Sequence, residues 1–194
     1  MRPGLEWGVQ MGTLVSADQR DRVLAHIADA VAKGARVLAG GTARPDLGPY
    51  YVEPTVLTGV TDEMICLDSE TFGPVVAITS VRDDEEAIAL ANDTEYGLNA
   101  SVLSRDIRAA ARVAARLRAG TVNINEGFAA AWGSTRTPMG GMGASGSGRR
   151  HGDEGLLKYT ESQSIVTARL IGFGAPFGLS DEQWGETVVS AMGV

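Results

Sequence analysis

The sequence predicts an α/β fold, a mainly parallel twisted sheet with flanking helices, and three observations carry that reading. Short β-branched runs, Val75-Val76-Ala77-Ile78 foremost, have the length and composition of buried strands. Amphipathic stretches that open on capping residues lie between such runs. From residue 75 onward the two kinds alternate as strand, helix, strand, helix, strand, the order in which right-handed crossovers build a parallel sheet.

Taken in order, residues 1 to 15 read as a loop entering a helix. Ser16-Ala17-Asp18-Gln19 matches a capping box, with Ser16 as N-cap and Gln19 at the third helical position. Val23, Ile27 and Val31 share a face with Leu24 and Ala30 beside them, so the helix runs to about Lys33 and stops at Gly34. His26 lies off that stripe and is expected in solvent. Arg36-Val37-Leu38-Ala39 is a short strand closed by Gly40-Gly41, and Thr42 to Pro49 is a turn-rich loop. Tyr50 to Val60 reads as extended, with Pro54 marking an edge or a break. Thr61 to Ser69 is polar around an apolar Met64-Ile65-Cys66-Leu67 centre.

Asp83-Asp84-Glu85-Glu86 puts negative charge on the first turn of a second helix, where the backbone dipole favours it. That helix turns Ile88 and Ala91 inward and ends near Asn92. Leu98 to Leu103 contains a strand. Ser104 is the expected cap of a third helix whose Ile107, Ala111, Ala114 and Leu117 are spaced for burial, with Arg105, Arg108, Arg112, Arg116 and Arg118 on a solvated face. Gly120 ends it, and Thr121-Val122-Asn123-Ile124-Asn125 alternates as a strand should. Leu156 to Val166 reads as a further strand. A Gly/Pro linker follows Arg169, and Ser180-Asp181-Glu182-Gln183 caps a short final helix with Trp184, Val188 and Met192 on one side.

Composition excludes several function classes. A chain of 194 residues with 44% hydrophobic and 21% charged residues is an ordinary globular one, one domain or slightly more. No apolar run approaches the roughly 20 residues of a membrane helix, and Met1-Arg2-Pro3-Gly4 does not open a signal peptide. A net charge of −7 argues against nucleic acid as a partner. The single cysteine permits no internal disulfide, and a reducing cytoplasm is the expected location.

One stretch points to a ligand. Glu70 and Phe72 are two apart, so extended backbone puts both side chains on one face, and Gly73-Pro74 then forces a turn before the strand. A carboxylate can accept from two hydroxyls and a phenyl ring can pack on a heteroaromatic face, which suits a sugar diol joined to a flat ring. The same residues also fit a surface Glu and a core Phe flanking an ordinary turn, and local sequence leaves both open.

Glu-x-Phe-Gly-Pro-Val resembles a signature of the aldehyde dehydrogenase superfamily. The resemblance extends through Gly34 to Gly41, Tyr51-Val52-Glu53-Pro54-Thr55-Val56-Leu57, Asn92-Asp93-Thr94-Glu95-Tyr96-Gly97-Leu98, Ala119 to Asn125, Pro138 to Gly146 and Leu157-Lys158-Tyr159-Thr160-Glu161. It covers nearly all of positions 10 to 168 in family order, and is nearest to succinate-semialdehyde dehydrogenases. It implies a partial catalytic domain over 1–155, an oligomerisation strand over 156–168 that pairs with a neighbouring subunit's sheet, and a linker with a short helix over 169–194. It also implies binding of NAD or NADP, with Glu70 holding the nicotinamide ribose hydroxyls and Phe72 packing near the nicotinamide. The substrate would be a small aldehyde, and the partner a second copy or a family relative. No membrane contact is implied.

Family members are much longer, and the matching blocks correspond to their C-terminal part. The dinucleotide domain and the nucleophilic cysteine are therefore expected outside these residues. In such a protein a thiolate attacks the aldehyde, hydride passes to nicotinamide, and water cleaves the thioester. Cys66 is at the wrong place in the block order, has apolar neighbours and lies among Glu63, Asp68 and Glu70, so it is read as a small buried hydrophobe. No catalytic residue and no metal ligand is assigned, and the chain by itself is expected to be inactive.

The segment leaving Asn125 is, by the same resemblance, a substrate-pocket loop running from Phe128 to Thr137. Phe128 and Trp132 could wall an aldehyde channel, and Ser134 or Arg136 could meet a carboxylate. A surface loop with incidental aromatics fits equally well. Gly141-Met142-Gly143-Ala144-Ser145-Gly146 satisfies the dinucleotide fingerprint literally, but neither flank supplies the required strand and helix. A close backbone crossing is expected there instead. His151, between arginines and Asp153-Glu154, is read as an exposed ion-pair residue.

Overall fold

The structure is a computed structural model that describes residues 1–4, 7–167, 169, 174–176 and 178–193. Its helices and strands are α1 (Ala17–Ala32), β1 (Arg36–Ala39), β2 (Thr55–Thr58), α2 (Ile65–Asp68), β3 (Val75–Ile78), α3 (Asp84–Asn92), β4 (Asn99–Val102), α4 (Ile107–Ala114), β5 (Thr121–Ile124), α5 (Ala129–Gly133), α6 (Gly152–Leu157) and α7 (Asp181–Ala191), in the expected order from α1 to β5 save for the short α2 and with α5 and α6 added. The parallel pairs expected of an α/β sheet are present, β2 with β3 and β4 with β5. They belong to two sheets rather than one, a three-stranded β1-β2-β3 and a two-stranded β4-β5. β1 runs antiparallel to β2 because the chain between them doubles back as a ribbon, held by a bridge between Ala43 and Val52.

The packed interior lies in the first half. Val23, Ile27 and Val52 form one cluster, and Ala30, Ala35, Leu57, Val60 and Met64 another; Val75 packs against both. Burial of each such aliphatic side chain contributes roughly 1.5–3 kcal/mol, so the α1 face and the inner face of β2 hold this unit together. Thr55 is 1% exposed without penalty. Its hydroxyl donates to the Glu53 carbonyl at 2.8 Å and accepts from the Gly41 amide at 3.0 Å.

Several sequence expectations are corrected. His26 is buried, whereas Val31 is 46% exposed, because the face that meets the strands is centred on Val23, Ile27 and Ala30. Ala91 is exposed, and only Ile88 of α3 is buried. The cap of α4 is Asp106, whose carboxylate accepts from the Arg108 and Ala109 amides, while the Ser104 hydroxyl accepts from the Asp106 amide. The buried position of α4 is Ala110, and Ile107 and Ala111 face solvent, one step out of the expected phase. Met64 to Leu67 forms the start of a short helix, because the Asp29 carboxylate accepts from the Ile65 amide at 2.9 Å and supplies the missing cap from another element.

The strand expected from Leu156 to Val166 is not formed as such. Leu156 and Leu157 close α6, and residues 161–167 make no strand ladder, with Ile165 86% and Val166 89% exposed. An edge strand needs a partner to form a ladder. The final helix forms where expected but buries no side chain, and part of the preceding linker lies outside the described residues. His151 is half-buried with φ 66°, and among the described residues its enclosed Nδ1 has no hydrogen-bond partner and the residue makes no ion pair, contrary to the expected exposed pairing. The glycine-rich segment is a crossing of backbone on backbone. A side chain at Gly120 would strike the Gly140 carbonyl, and one at Gly141 would strike Ser145.

Candidate functional site

The connection from α2 to β3 carries Glu70 and Phe72. Its far end is set by the Thr55 amide, which donates to the Pro74 carbonyl at 2.7 Å and continues the β2–β3 ladder up to the turn. Its centre rests on α1. The Gln19 side-chain amide donates to the Thr71 carbonyl at 2.7 Å and to the Phe72 carbonyl at 2.9 Å. His26 Nδ1 is 3.1 Å from the Thr71 hydroxyl. Gly73 lies against Val23 so closely that a Cβ there would overlap the valine methyl. Held in this way, Phe72 adopts φ 49°, a left-handed conformation that costs a bulky residue about 1 kcal/mol or more.

The consequence is an exposed ring beside a carboxylate. Phe72 is 74% exposed and shares a cleft of about 380 Å³ with Glu70, Cys66 and Tyr96. Glu70 and Tyr96 also line a second cleft, together with Asn92, Arg118 and Ser145. Among the described residues nothing hydrogen-bonds or ion-pairs with the Glu70 carboxylate, so both of its oxygens are available to donors from a ligand. A free acceptor pair and a bare aromatic face on one cleft fit the ribose and nicotinamide of a dinucleotide.

Tyr96 keeps its phenol proton, its pKa raised by desolvation and by the negative charge of Glu95, Glu70 and Asp68. Burial likewise pushes the Cys66 thiol up, and Asp29 pushes it further. Cys66 is half-buried rather than buried, packing one side on the Leu57–Met64 cluster while the other reaches the cleft. A thiol held neutral is a poor nucleophile. Among the described residues no group of three or more His, Cys, Asp and Glu could hold a metal ion.

The segment after β5 behaves differently. Asn123, 6% exposed, donates to Asn99 Oδ1 at 2.9 Å and to the Gly127 carbonyl at 3.1 Å. Asn125 takes φ 55°, with its side chain accepting from the Ser104 amide and donating to the Ser104 carbonyl. Glu126 folds back to accept from the Phe128, Gly127 and Ala129 amides, which hold its carboxyl below the ordinary range. The expected loop therefore contains α5. Phe128 is 40% exposed and lines a separate cleft with Leu98, Met139, Arg149, Arg150 and Lys158. Trp132, 63% exposed, Ser134 and Arg136 are not among the residues lining it. The Ser134 hydroxyl is already engaged by Thr137 at 2.7 Å, and Arg136 is exposed and makes no ion pair among the described residues. The structure thus brings Glu70 and Phe72 to one cleft, while of the four substrate-loop candidates Phe128 lines a different one.

Sequence reading missed Gln19 and His26 as supports of this loop. Gln19 had a complete local role as a capping-box residue, and His26 lay outside the expected apolar stripe. Asn123 was visible as a polar residue at an inward strand position, which by itself signals a buried hydrogen-bond network.

The cleft lies where the α2–β3 connection enters a parallel strand, on an α/β frame crossed by glycines, and comparison with known proteins shows the family to which this frame belongs. Residues 1–165 match the aldehyde dehydrogenase family. The chain belongs to that family. It is 58% identical over 184 residues to a Mycobacterium ulcerans protein that carries the provisional name succinate-semialdehyde dehydrogenase (NADP+) 2, covering 95% of this chain and 36% of that protein. It also superimposes on the crystal structure of a Mycobacterium tuberculosis aldehyde dehydrogenase complexed with NAD+, at TM-score 0.75 and 35% identity over 88% of this chain and 33% of that one. Betaine aldehyde dehydrogenase from Staphylococcus aureus, also in complex with NAD+, matches at TM-score 0.76 and 36% identity over 88% of this chain and 35% of that one. The chain spans about a third of the length of the relatives it matches.

Proposed function

We propose that these residues are the C-terminal portion of an NAD(P)-dependent aldehyde dehydrogenase that, as a whole protein, oxidises succinate semialdehyde to succinate. The observation that carries this reading is the unpaired Glu70 carboxylate and the exposed Phe72 ring on one cleft. The name of the Mycobacterium ulcerans relative supports the substrate. When bound, the nicotinamide supplies the hydride acceptor. Glu70 would accept from the ribose hydroxyls, and Phe72 would limit where the ring can lie. Phe128, Trp132, Ser134 and Arg136 would reach the aldehyde only once further chain completes the pocket. The nucleophile is not among these residues, so the 194-residue chain does not turn over. The oligomerisation role of 156–168, a cytoplasmic location and a homo-oligomer or a mixed assembly with a family relative belong to the same proposal. Among the described residues no helix is long and apolar enough to cross a membrane.

The test is direct. Nicotinamide mononucleotide should bind the purified chain, and Glu70→Gln should weaken that binding about tenfold, the loss of a charge-assisted hydrogen bond. NADPH or NADH should not form with succinate semialdehyde. Turnover abolished by Cys66→Ala would overturn the assignment of the nucleophile to another part of the protein.

A second reading, a non-catalytic module that assembles with full-length relatives, is favoured by one observation, the unladdered and exposed segment around Ile165 and Val166. Co-purification with such a relative, lost on deleting residues 156–168, would support it.

A further inference from the structure

We propose that Gln19 is a positioning residue for the cofactor loop, its side-chain amide spent on holding Phe72 in the left-handed conformation that exposes the ring. The inference rests on the cofactor reading of Glu70 and Phe72 given above.

Two capping boxes in the same chain make the point. At α7 the box is complete: the Gln183 amide donates to the Ser180 hydroxyl, and the Gln183 side chain accepts from the Ser180 amide. At α1 only the first half is made, with the Gln19 amide donating to the Ser16 hydroxyl at 3.2 Å. The Gln19 side chain leaves its own helix and straddles two successive carbonyls 52 and 53 residues away. A single NH₂ group has two protons, and both are used on the peptide units that flank Phe72. The strained φ of Phe72 is then maintained from outside, by a donor pair on a rigid helix whose buried face already fixes its position. Val23 and His26 fasten the same loop one and two turns further on, through the close approach of Gly73 and the Thr71 hydroxyl. Without the clamp, Phe72 is free to relax to φ below zero, which turns its ring out of register with Glu70.

Gln19→Glu separates positioning from folding. A glutamate at this helical position suits a capping box and the positive helix N-terminus, so α1 keeps or gains stability. A carboxylate cannot donate, and it repels the two carbonyls. In the full 194-residue chain the thermal midpoint should hold or rise. The Phe72 backbone ¹³C shifts should leave their left-handed values, and nicotinamide mononucleotide should bind about tenfold more weakly, the loss of two ordinary hydrogen bonds from the loop. Ser16→Ala is the control, since it weakens the helix end and leaves the clamp in place; its Phe72 shifts should match those of the parent chain. Unchanged Phe72 shifts in Gln19→Glu, or equal changes in Ser16→Ala, would overturn the clamp. Absence of mononucleotide binding to the parent chain would overturn the cofactor reading instead, and the Phe72 shifts would still report on the clamp.

Discussion

Helices α1 and α7 open on nearly the same pattern, Ser-x-x-Gln with an acidic residue between, and their fates differ. α7 satisfies its own end and buries nothing. α1 buries Val23, His26, Ile27 and Ala30, and lends its glutamine to a loop more than fifty residues away. A capping signal sets where a helix begins. What the helix is for depends on whether an apolar face carries it against the sheet, because only a docked helix can lend a side chain to a distant loop.

The largest expected effect tests the docking itself. Ile27→Ala should lower stability by about 2–5 kcal/mol in urea titration, whereas Val189→Ala, on the exposed surface of α7, should stay within about 0.5 kcal/mol. Comparable losses at the two sites would mean that α7 is packed in solution and that the contrast between the helices is false.

The caps come next. Ser16→Ala and Ser180→Ala should each cost their own helix about 1 kcal/mol. Only the first should appear in global unfolding, because α1 belongs to the cooperative core; the second should show as faster amide exchange confined to α7.

The smallest effect is one of pH. Burial lowers the pKa of His26, with Arg22 adding to the shift and Asp29 opposing it. The unfolded chain then takes up a proton that the folded one resists. The stabilisation from neutral His26 is present above the unfolded value of about 6.5 and is lost as pH falls through the lower folded value. The urea midpoint of the α1 unit should therefore drop on acidification, and His26→Asn should remove that component of the drop. A midpoint that rises on acidification would show that Asp29 dominates the site. α7 contains no histidine, so its exchange rates should not follow this titration.

Local signals explain why most of the frame was legible. Strands such as Val75 to Ile78 and helix starts such as Asp83 are written in consecutive residues, through β-branching and capping, and they appear where expected; the burial expected of Val75 to Ile78 does not, since β3 edges its sheet with Val76 59% and Ile78 47% exposed. The pair Glu70 and Phe72 is named by local residues, but the extended backbone expected to align them is not formed: Phe72 takes φ 49°, held from α1 through its flanking carbonyls. Phase was harder. Ala110 rather than Ile107 faces inward on α4 because the sheet it meets, not its own periodicity, selects the face.

By itself, then, the order of residues determined most of the element types and marked Glu70 and Phe72 as a pair with ligand-binding chemistry, because both depend on chemistry within a few positions. Tertiary structure alone decided that the strands fall into two sheets, that His26 is buried, that Asp29 caps α2 and that Gln19 serves Phe72 rather than its own helix. The division into sheets depends on which strands pair; the other three depend on partners far apart in sequence that the packing of α1 brings within hydrogen-bond reach.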